Sequence, residues 1–332
     1  MSKFLFNLLL FGGLLFPLSG QSQNINTPEP TNLIAAPNIR PETAIKVAND
    51  VWVIPDPRIN YIPNIGVIEG KYAVLVVDSG MGPHNGELLL QYVQKIAGNR
   101  RIYFTSTHFH PEHNFGASVF GTASVIMNKA QAEELAEKGS DYIQLFRSFG
   151  VIERKALEGV KLIMPGIIYS DSLTLDLGDN IVILKETPAH TRGDQIVFTE
   201  NSKVLFTGDL VENRFFPIMP DADTKGSDWI TVMEQMLNMK PKVVVPGHGE
   251  IGDDRLIQAV KTYLVTVQSD VLDLVKKGLK QDSIIRTLTQ KFKSLHPNWD
   301  NAVFIPYEIA NFYSEFTHSP LKLPDLSKDL GH

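Results

Sequence analysis

The spacing of hydrophobic and polar positions changes several times along this chain of 332 residues. Three runs rich in β-branched residues come first, at 47–54, 65–69 and 72–77, separated by Pro and Gly. They predict a strand, a loop and then a hairpin turning at Glu69-Gly70-Lys71. After Asp78-Ser79-Gly80-Met81-Gly82 the spacing becomes helical, with Leu88, Leu89, Tyr92, Val93 and Ile96 in register and Gly98 ending the run. Strands are predicted at 101–107 and 123–127, then a polar helical stretch at 129–138 and a separate amphipathic helix at 141–157. From Ile168 strand patterns return, at 173–177, 181–186, 195–199 and 203–207. A helix at 228–239, a strand at 242–245 and a mainly helical remainder from about Asp253 complete the chain. Strands followed by helices recur in both halves, which predicts a layered α/β domain.

Composition narrows the class. At 43% hydrophobic and 20% charged residues the chain is long enough to bury a large core. A formal charge of -6 with no basic block excludes nucleic acid and anionic membrane surfaces as partners and leaves a small-molecule substrate. Met1-Ser2-Lys3, an apolar run to Leu18 and a small polar exit predict a signal peptide over 1–22, hence a periplasmic or secreted protein with no membrane partner after cleavage. A flexible arm is expected at 23–43. The domain proper is expected at 44–320, with inserted helices at 129–157 and a helical extension at 253–320. The chain contains no cysteine, so any metal must be held by nitrogen and oxygen alone.

Three imidazoles and a carboxylate crowd into His108-Phe109-His110-Pro111-Glu112-His113, in a chain with nine histidines. The stretch follows a strand-like run and precedes a turn at Gly116, so it sits where a strand delivers side chains into a loop. His190, Asp209 and His248 occupy similar exits, each behind an apolar run and flanked by Gly or Pro. Five histidines and two carboxylates exceed one tetrahedral zinc and suit two adjacent ions bridged by a carboxylate and a hydroxide. Zinc is the expected ion, with iron or manganese as the others this donor set admits.

In their order and contexts these segments resemble the metallo-β-lactamase superfamily, over roughly residues 51–252. The matching pieces are the His-x-His-x-acid-His cluster, His190-Thr191-Arg192-Gly193, Thr207-Gly208-Asp209 and Pro246-Gly247-His248-Gly249, with Asp78 at the first motif. The resemblance implies a four-layer αβ/βα sandwich with two mixed sheets inside and helices outside. It implies a first metal on His108, His110 and His190, a second on Glu112, His113 and His248, Asp209 as bridge, and Asp78 as a supporting residue. It also implies an exported hydrolase that uses a metal-bound hydroxide on an ester, lactone, lactam or related bond. Two departures stand out: Glu112 replaces the usual Asp, and Arg192 the usual Pro. The longer Glu112 side chain either reaches the second metal or swings out to act as a base, so Glu112 and Asp209 are the candidate catalytic carboxylates. Two other classes remain open, a single-iron dioxygenase on His108, His190 and Asp209, and a non-catalytic accessory protein whose second site is weakened by Glu112.

For other residues plainer roles are expected. Phe146 and Phe149 read as core in preference to the lining of a substrate cleft. Phe215, Phe216, Pro217 and Met219 read equally as pocket wall or core. Arg192 and His84 read as surface, and His296, His318 and His332 as incidental.

Overall fold

The protein is described by a computed structural model covering residues 36–324. The predicted signal peptide and most of the predicted arm lie outside the described residues. Residues 36–43 differ from a flexible arm: Ile39 is buried, its N–H donates to Asn85 Oδ1 (3.0 Å), and Asn85 Nδ2 donates to the Pro37 carbonyl (2.7 Å). These buried hydrogen bonds, each stabilising by about 1 kcal/mol net, fasten the segment to the domain.

One sheet has seven strands in sequence order: β1 (Ile45–Ala48), β2 (Val51–Ile54), β3 (Ile65–Glu69), β4 (Ala73–Val77), β5 (Arg101–Thr105), β6 (Val125–Asn128) and β7 (Ile167–Tyr169). Its first four strands pair antiparallel and the rest parallel. The other sheet runs in spatial order β12 (Val243–Pro246), β11 (Val204–Gly208), β10 (Gln195–Thr199), β9 (Ile181–Glu186) and β8 (Ser172–Asp176). Only β11 and β12 are parallel in it. The run predicted as one strand at 47–54 is a two-strand hairpin, because Asn49-Asp50 supplies turn residues between β1 and β2.

The helices are α1 (Gly82–Ala97), α2 (Pro111–Asn114), α3 (Lys129–Phe149), α4 (Val151–Ala156), α5 (Gly226–Asn238), α6 (Asp254–Lys276), α7 (Gln281–Leu295) and α8 (Ile305–Thr317). Strand β4 shows how the layers arise. Leu75 and Val77 join the apolar cluster shared with Val197, Phe206 and Val245 of the second sheet, while Val74 and Val76 join Leu89, Val93 and Leu135 on the helix side. Covered on both faces, β4 is apolar at every position, as alternation along a strand requires. The second sheet is backed by α5 to α8 through Trp229, Met233, Tyr263, Leu264 and Phe312. The result is a sandwich of two mixed sheets flanked by helices. Among the described residues no helix is long and apolar enough to cross a membrane.

The predicted pair of helices, 129–138 and 141–157, is divided elsewhere: α3 passes through Gly139-Ser140, and the break falls at Gly150, before α4. A mid-helix glycine costs about 1 kcal/mol relative to alanine. Burial of Leu135 and Phe146 in the same cluster, on either side of it, outweighs that cost at about 2 kcal/mol per side chain.

Candidate metal centre

All the strand exits singled out in the sequence open at one edge of the sandwich. Asp78 follows β4, His108 follows β5, Asp209 follows β11, His248 follows β12, and His190 lies in the connection from β9 to β10. Because β4 pairs parallel with β5, and β11 with β12, each pair ends on the same side, the usual place for a site in a layered α/β protein.

The side chains converge in two buried groups, His108–His110–His190–Asp209 and Glu112–His113–Asp209–His248. Within each group the ligand atoms lie within 4.8 Å of one another. Asp209 belongs to both and divides its oxygens between them. Oδ2 lies 3.7 Å from His108 Nε2 and 4.0 Å from His190 Nε2, whereas Oδ1 lies 3.1 Å from His113 Nε2 and 3.8 Å from His248 Nε2. Pro111 opens the one-turn helix α2, where the His113 and Asn114 N–H groups both donate to the His110 carbonyl. That turn brings Glu112 and His113 to the second group while His108 and His110 face the first. The Glu112 carboxylate therefore stands among the ligand atoms and does not swing away.

Three of the five rings are oriented from behind. His190 Nδ1 donates to the Ile218 carbonyl (2.8 Å), His248 Nδ1 to the Ile62 carbonyl (3.1 Å) and His113 Nδ1 to Asp78 Oδ2 (2.9 Å). Acceptors on Nδ1 fix the tautomer and leave the Nε2 lone pair toward the centre. Asp78, at φ 67°, also takes the Thr107 N–H on Oδ1 (2.7 Å), so it braces the whole turn. The loop bearing His190 is gathered by Asp194, whose Oδ2 accepts the N–H groups of Ala189, His190 and Thr191. Asp56 similarly accepts the Gly249 N–H beside His248 (2.8 Å). Gly247 is required where it stands, since a Cβ there would lie 2.0 Å from Asp209 Oδ1.

The electrostatics suit cations. Burial, reinforced by neighbouring rings, holds His108 and His110 well below the usual histidine range, so both are neutral donors. Burial acts the same way on His113 and His248, but carboxylates overrule it. Asp209 and Asp78 hold His113 well above the ordinary value, and Asp209 with Asp56 raises His248 to about 9. Burial alone would raise Asp209, yet His113, His248 and His108 drive it well below the carboxylate range. Buried polar atoms without a hydrogen-bond partner include His108 Nε2, His113 Nε2, Glu112 Oε2 and Asp209 Oδ1. Native interiors seldom leave such atoms unmatched. Nitrogen and oxygen donors pointed inward in this way fit two divalent ions, and the residues that would hold them are the seven named from the sequence.

Several neighbours had no local signature in the sequence. Tyr142 of α3 stacks on His110 with centroids 5.0 Å apart and planes at 21°, and Trp229 of α5 lies 5.7 Å from His190. Glu212 is buried beside the second group, where burial and Asp209 hold its carboxyl well above the usual range. Of the run after Asp209, Phe215 alone faces the centre, 6.0 Å from the His248 ring, while Phe216 and Met219 enter the core. Arg192 turns to α3 and pairs with Glu137 (2.7 Å). Phe149, expected in the core, is half exposed, whereas Phe146 is buried. His296 lies far from the metal ligands in sequence and packs against Trp299, with ring centroids 4.3 Å apart. His84 is exposed.

The start of α3 is joined directly to the His190 loop. Gly193 donates its N–H to Glu134 Oε2 (2.7 Å) and accepts from Asn128 Nδ2 on its carbonyl (2.8 Å). A Cβ on Gly193 would meet Gln131 Cα at 2.3 Å, so only glycine allows this approach. Lys138 extends the junction with bonds to Glu134 (3.0 Å), Asp221 (3.0 Å) and Asp223 (2.6 Å).

A two-sheet sandwich with a carboxylate shared between two histidine-rich groups at its edge defines a class of hydrolytic metalloproteins. The profile of the metallo-beta-lactamase superfamily matches residues 59–248, and the chain belongs to that superfamily. Its curated relatives include the human acyl-coenzyme A thioesterase MBLAC2, 25% identical over 222 residues that cover 60% of this chain and 78% of the relative. Another is a linear primary-alkylsulfatase of Pseudomonas sp. (strain ATCC 19151), 22% identical over 76% of this chain and 53% of the relative. Among solved structures, a metallo-beta-lactamase from Pontibacter korlensis shares the fold, with a TM-score of 0.54 at 20% identity over 67% of this chain and 97% of its own.

Proposed function

We propose that this protein is an exported, zinc-dependent hydrolase that cleaves an ester-type bond in a small-molecule substrate, in the periplasm or outside the cell. The observation that carries the reading is the division of Asp209, one oxygen toward each group of ligands. When bound, two zinc ions supply Lewis acidity and bring the pKa of a water down to about 7. The chain does the rest. His108, His110 and His190 present neutral nitrogen on one side. Glu112, His113 and His248 complete the other, with Asp78 and the Ile62 carbonyl fixing their rings. The Glu112 carboxylate, whose Oε2 is buried without a protein partner, would serve there as a ligand. Hydrolysis adds OH to the acyl side and H to the leaving group, so no further reactant is needed. The thioesterase and sulfatase relatives support an ester-type bond over a lactam. A single-iron oxygenase would leave the buried group of Glu112, His113 and His248 without a task, which counts against it. Export rests on the leader pattern at 1–22.

Metal analysis of purified protein, followed by a panel of ester, thioester, sulfate, lactone and lactam substrates with and without added zinc, tests the reading. Two zinc ions per chain and ester-type turnover abolished by chelation are expected. One iron per chain, or turnover that survives chelation and dialysis, overturns it. Cell fractionation of the full chain tests export.

A further inference from the structure

A strip of aromatic rings leads away from the metal ligands along one face of α3. It starts at the His110 ring and passes to Tyr142 (5.0 Å), Phe146 (6.3 Å) and Phe149 (5.1 Å). The three α3 residues are four and then three positions apart, the spacing that aligns side chains on one helix face. Tyr61, from the loop between β2 and β3, flanks the far half at 5.4 Å from Phe146 and 6.2 Å from Phe149, stacked on the latter at 12°. Its neighbour Ile62 supplies the carbonyl that orients His248, so the strip borders both halves of the centre. The far end opens to solvent through three large apolar side chains that the fold leaves uncovered: Leu145 at 41%, Phe149 at 50% and Val151 at 71% exposure. Single exposed apolar residues are ordinary, but a contiguous group that continues a buried strip into a reactive centre marks a binding surface.

We infer that this strip holds a straight apolar chain of the substrate, with the scissile bond at the metals and the tail running over Tyr142 and Phe146 to Phe149. The inference rests on the hydrolase reading above and narrows it to esters or thioesters of linear acyl or alkyl groups. The occupant follows from the strip itself, which is aromatic from the metal ligand His110 to Phe149 and carries charged neighbours such as Lys138 and Glu153 only at its flanks. The ring-to-ring steps match about a dozen methylenes, given C–C bonds of about 1.5 Å.

The test is the chain-length profile of the zinc-loaded enzyme on p-nitrophenyl esters from acetyl to hexadecanoyl. Each methylene up to about twelve should raise kcat/KM by roughly two- to fourfold, followed by a plateau. In Phe149→Asp and Tyr61→Ser the ratio of dodecanoyl to butanoyl kcat/KM should fall about tenfold or more. Val265→Asp, an exposed site on α6, should leave that ratio unchanged. Calorimetric titration with 1-decanol gives a readout independent of turnover, and binding should be lost in Phe149→Asp. Zinc-dependent turnover that is flat across chain length overturns the strip and leaves the hydrolase standing. Decanol binding that Phe149→Asp abolishes, with no ester hydrolysed, upholds the strip and overturns the hydrolase alone. A flat profile together with Phe149-dependent sedimentation on phosphatidylcholine vesicles would make the exposed end a membrane contact and overturn the proposal.

Discussion

On the Oδ2 side of Asp209 stand three imidazoles, from His108, His110 and His190, while the Oδ1 side gathers Glu112, His113 and His248. The first set is packed among rings: Tyr142 lies on His110, Trp229 beside His190, and its histidines touch edge to face. The second set is packed among charges, with Asp78 and Asp56 behind the histidines and Glu212 nearby. One half is therefore shaped mainly by sterics and tautomer, and the other mainly by field. The same ligand chemistry can be held in place by two different physical means. Each leaves a separate experimental signature.

Asp209→Asn should have the largest effect, because it removes the ligand common to both halves. Bound metal should fall to one ion or fewer, and hydrolysis by about a thousandfold or more, near 4 kcal/mol of lost transition-state stabilisation. Retention of two tightly held ions would show that the halves do not depend on their shared carboxylate. pH should separate the halves next. His113 and His248 both carry raised pKa values, that of His248 at about 9, so at neutral pH their protons compete with metal, and second-site affinity should climb with pH by about tenfold per unit for each proton displaced. The rings of His108 and His110 are already neutral, so first-site affinity should change little between pH 7 and 9. Zinc titrations across that range check the contrast, and parallel slopes for both sites would break it.

Asp78→Asn should weaken the second ion by about 10- to 100-fold while sparing the first, as expected for a residue that orients a ligand. Glu112→Asp sharpens the same contrast at smaller scale. The carboxylate and its charge remain, so two ions should still bind, with an affinity change within about tenfold; loss of the second ion would show that the longer side chain is obligatory. Arg192→Ala should do least, below about 1 kcal/mol in stability and within twofold in kcat/KM, because its partner Glu137 is exposed.

The ligands were readable in the sequence because each sits in a short local pattern, an apolar run broken by Gly or Pro before a donor residue. Asp78 was readable too, from its place at the first motif, but the other bracing residues were not. Asp56 and Asp194 are single acids whose role arises from backbone N–H groups that only the folded loops aim at them. Helix α3 was misread as two helices because Gly139-Ser140 looks like a break locally, and only burial of Leu135 and Phe146 in one cluster shows it is not. Periodicity placed Phe149 in the core, yet it lies at the C-terminal end of α3 with half its surface exposed, against Tyr61 and Phe146, a fact of helix length and direction that hydrophobic spacing does not contain.

Gly193 is held on both its N–H and its carbonyl by the first turns of α3, three residues beyond His190. The helix and the metal loop consequently behave as one rigid part. Displacing the start of α3 would therefore pull on the loop that carries His190. Amide protons of α3 near Gln131 should exchange with solvent far more slowly than those around Gly150. Loading the centre with metal should slow that first set further.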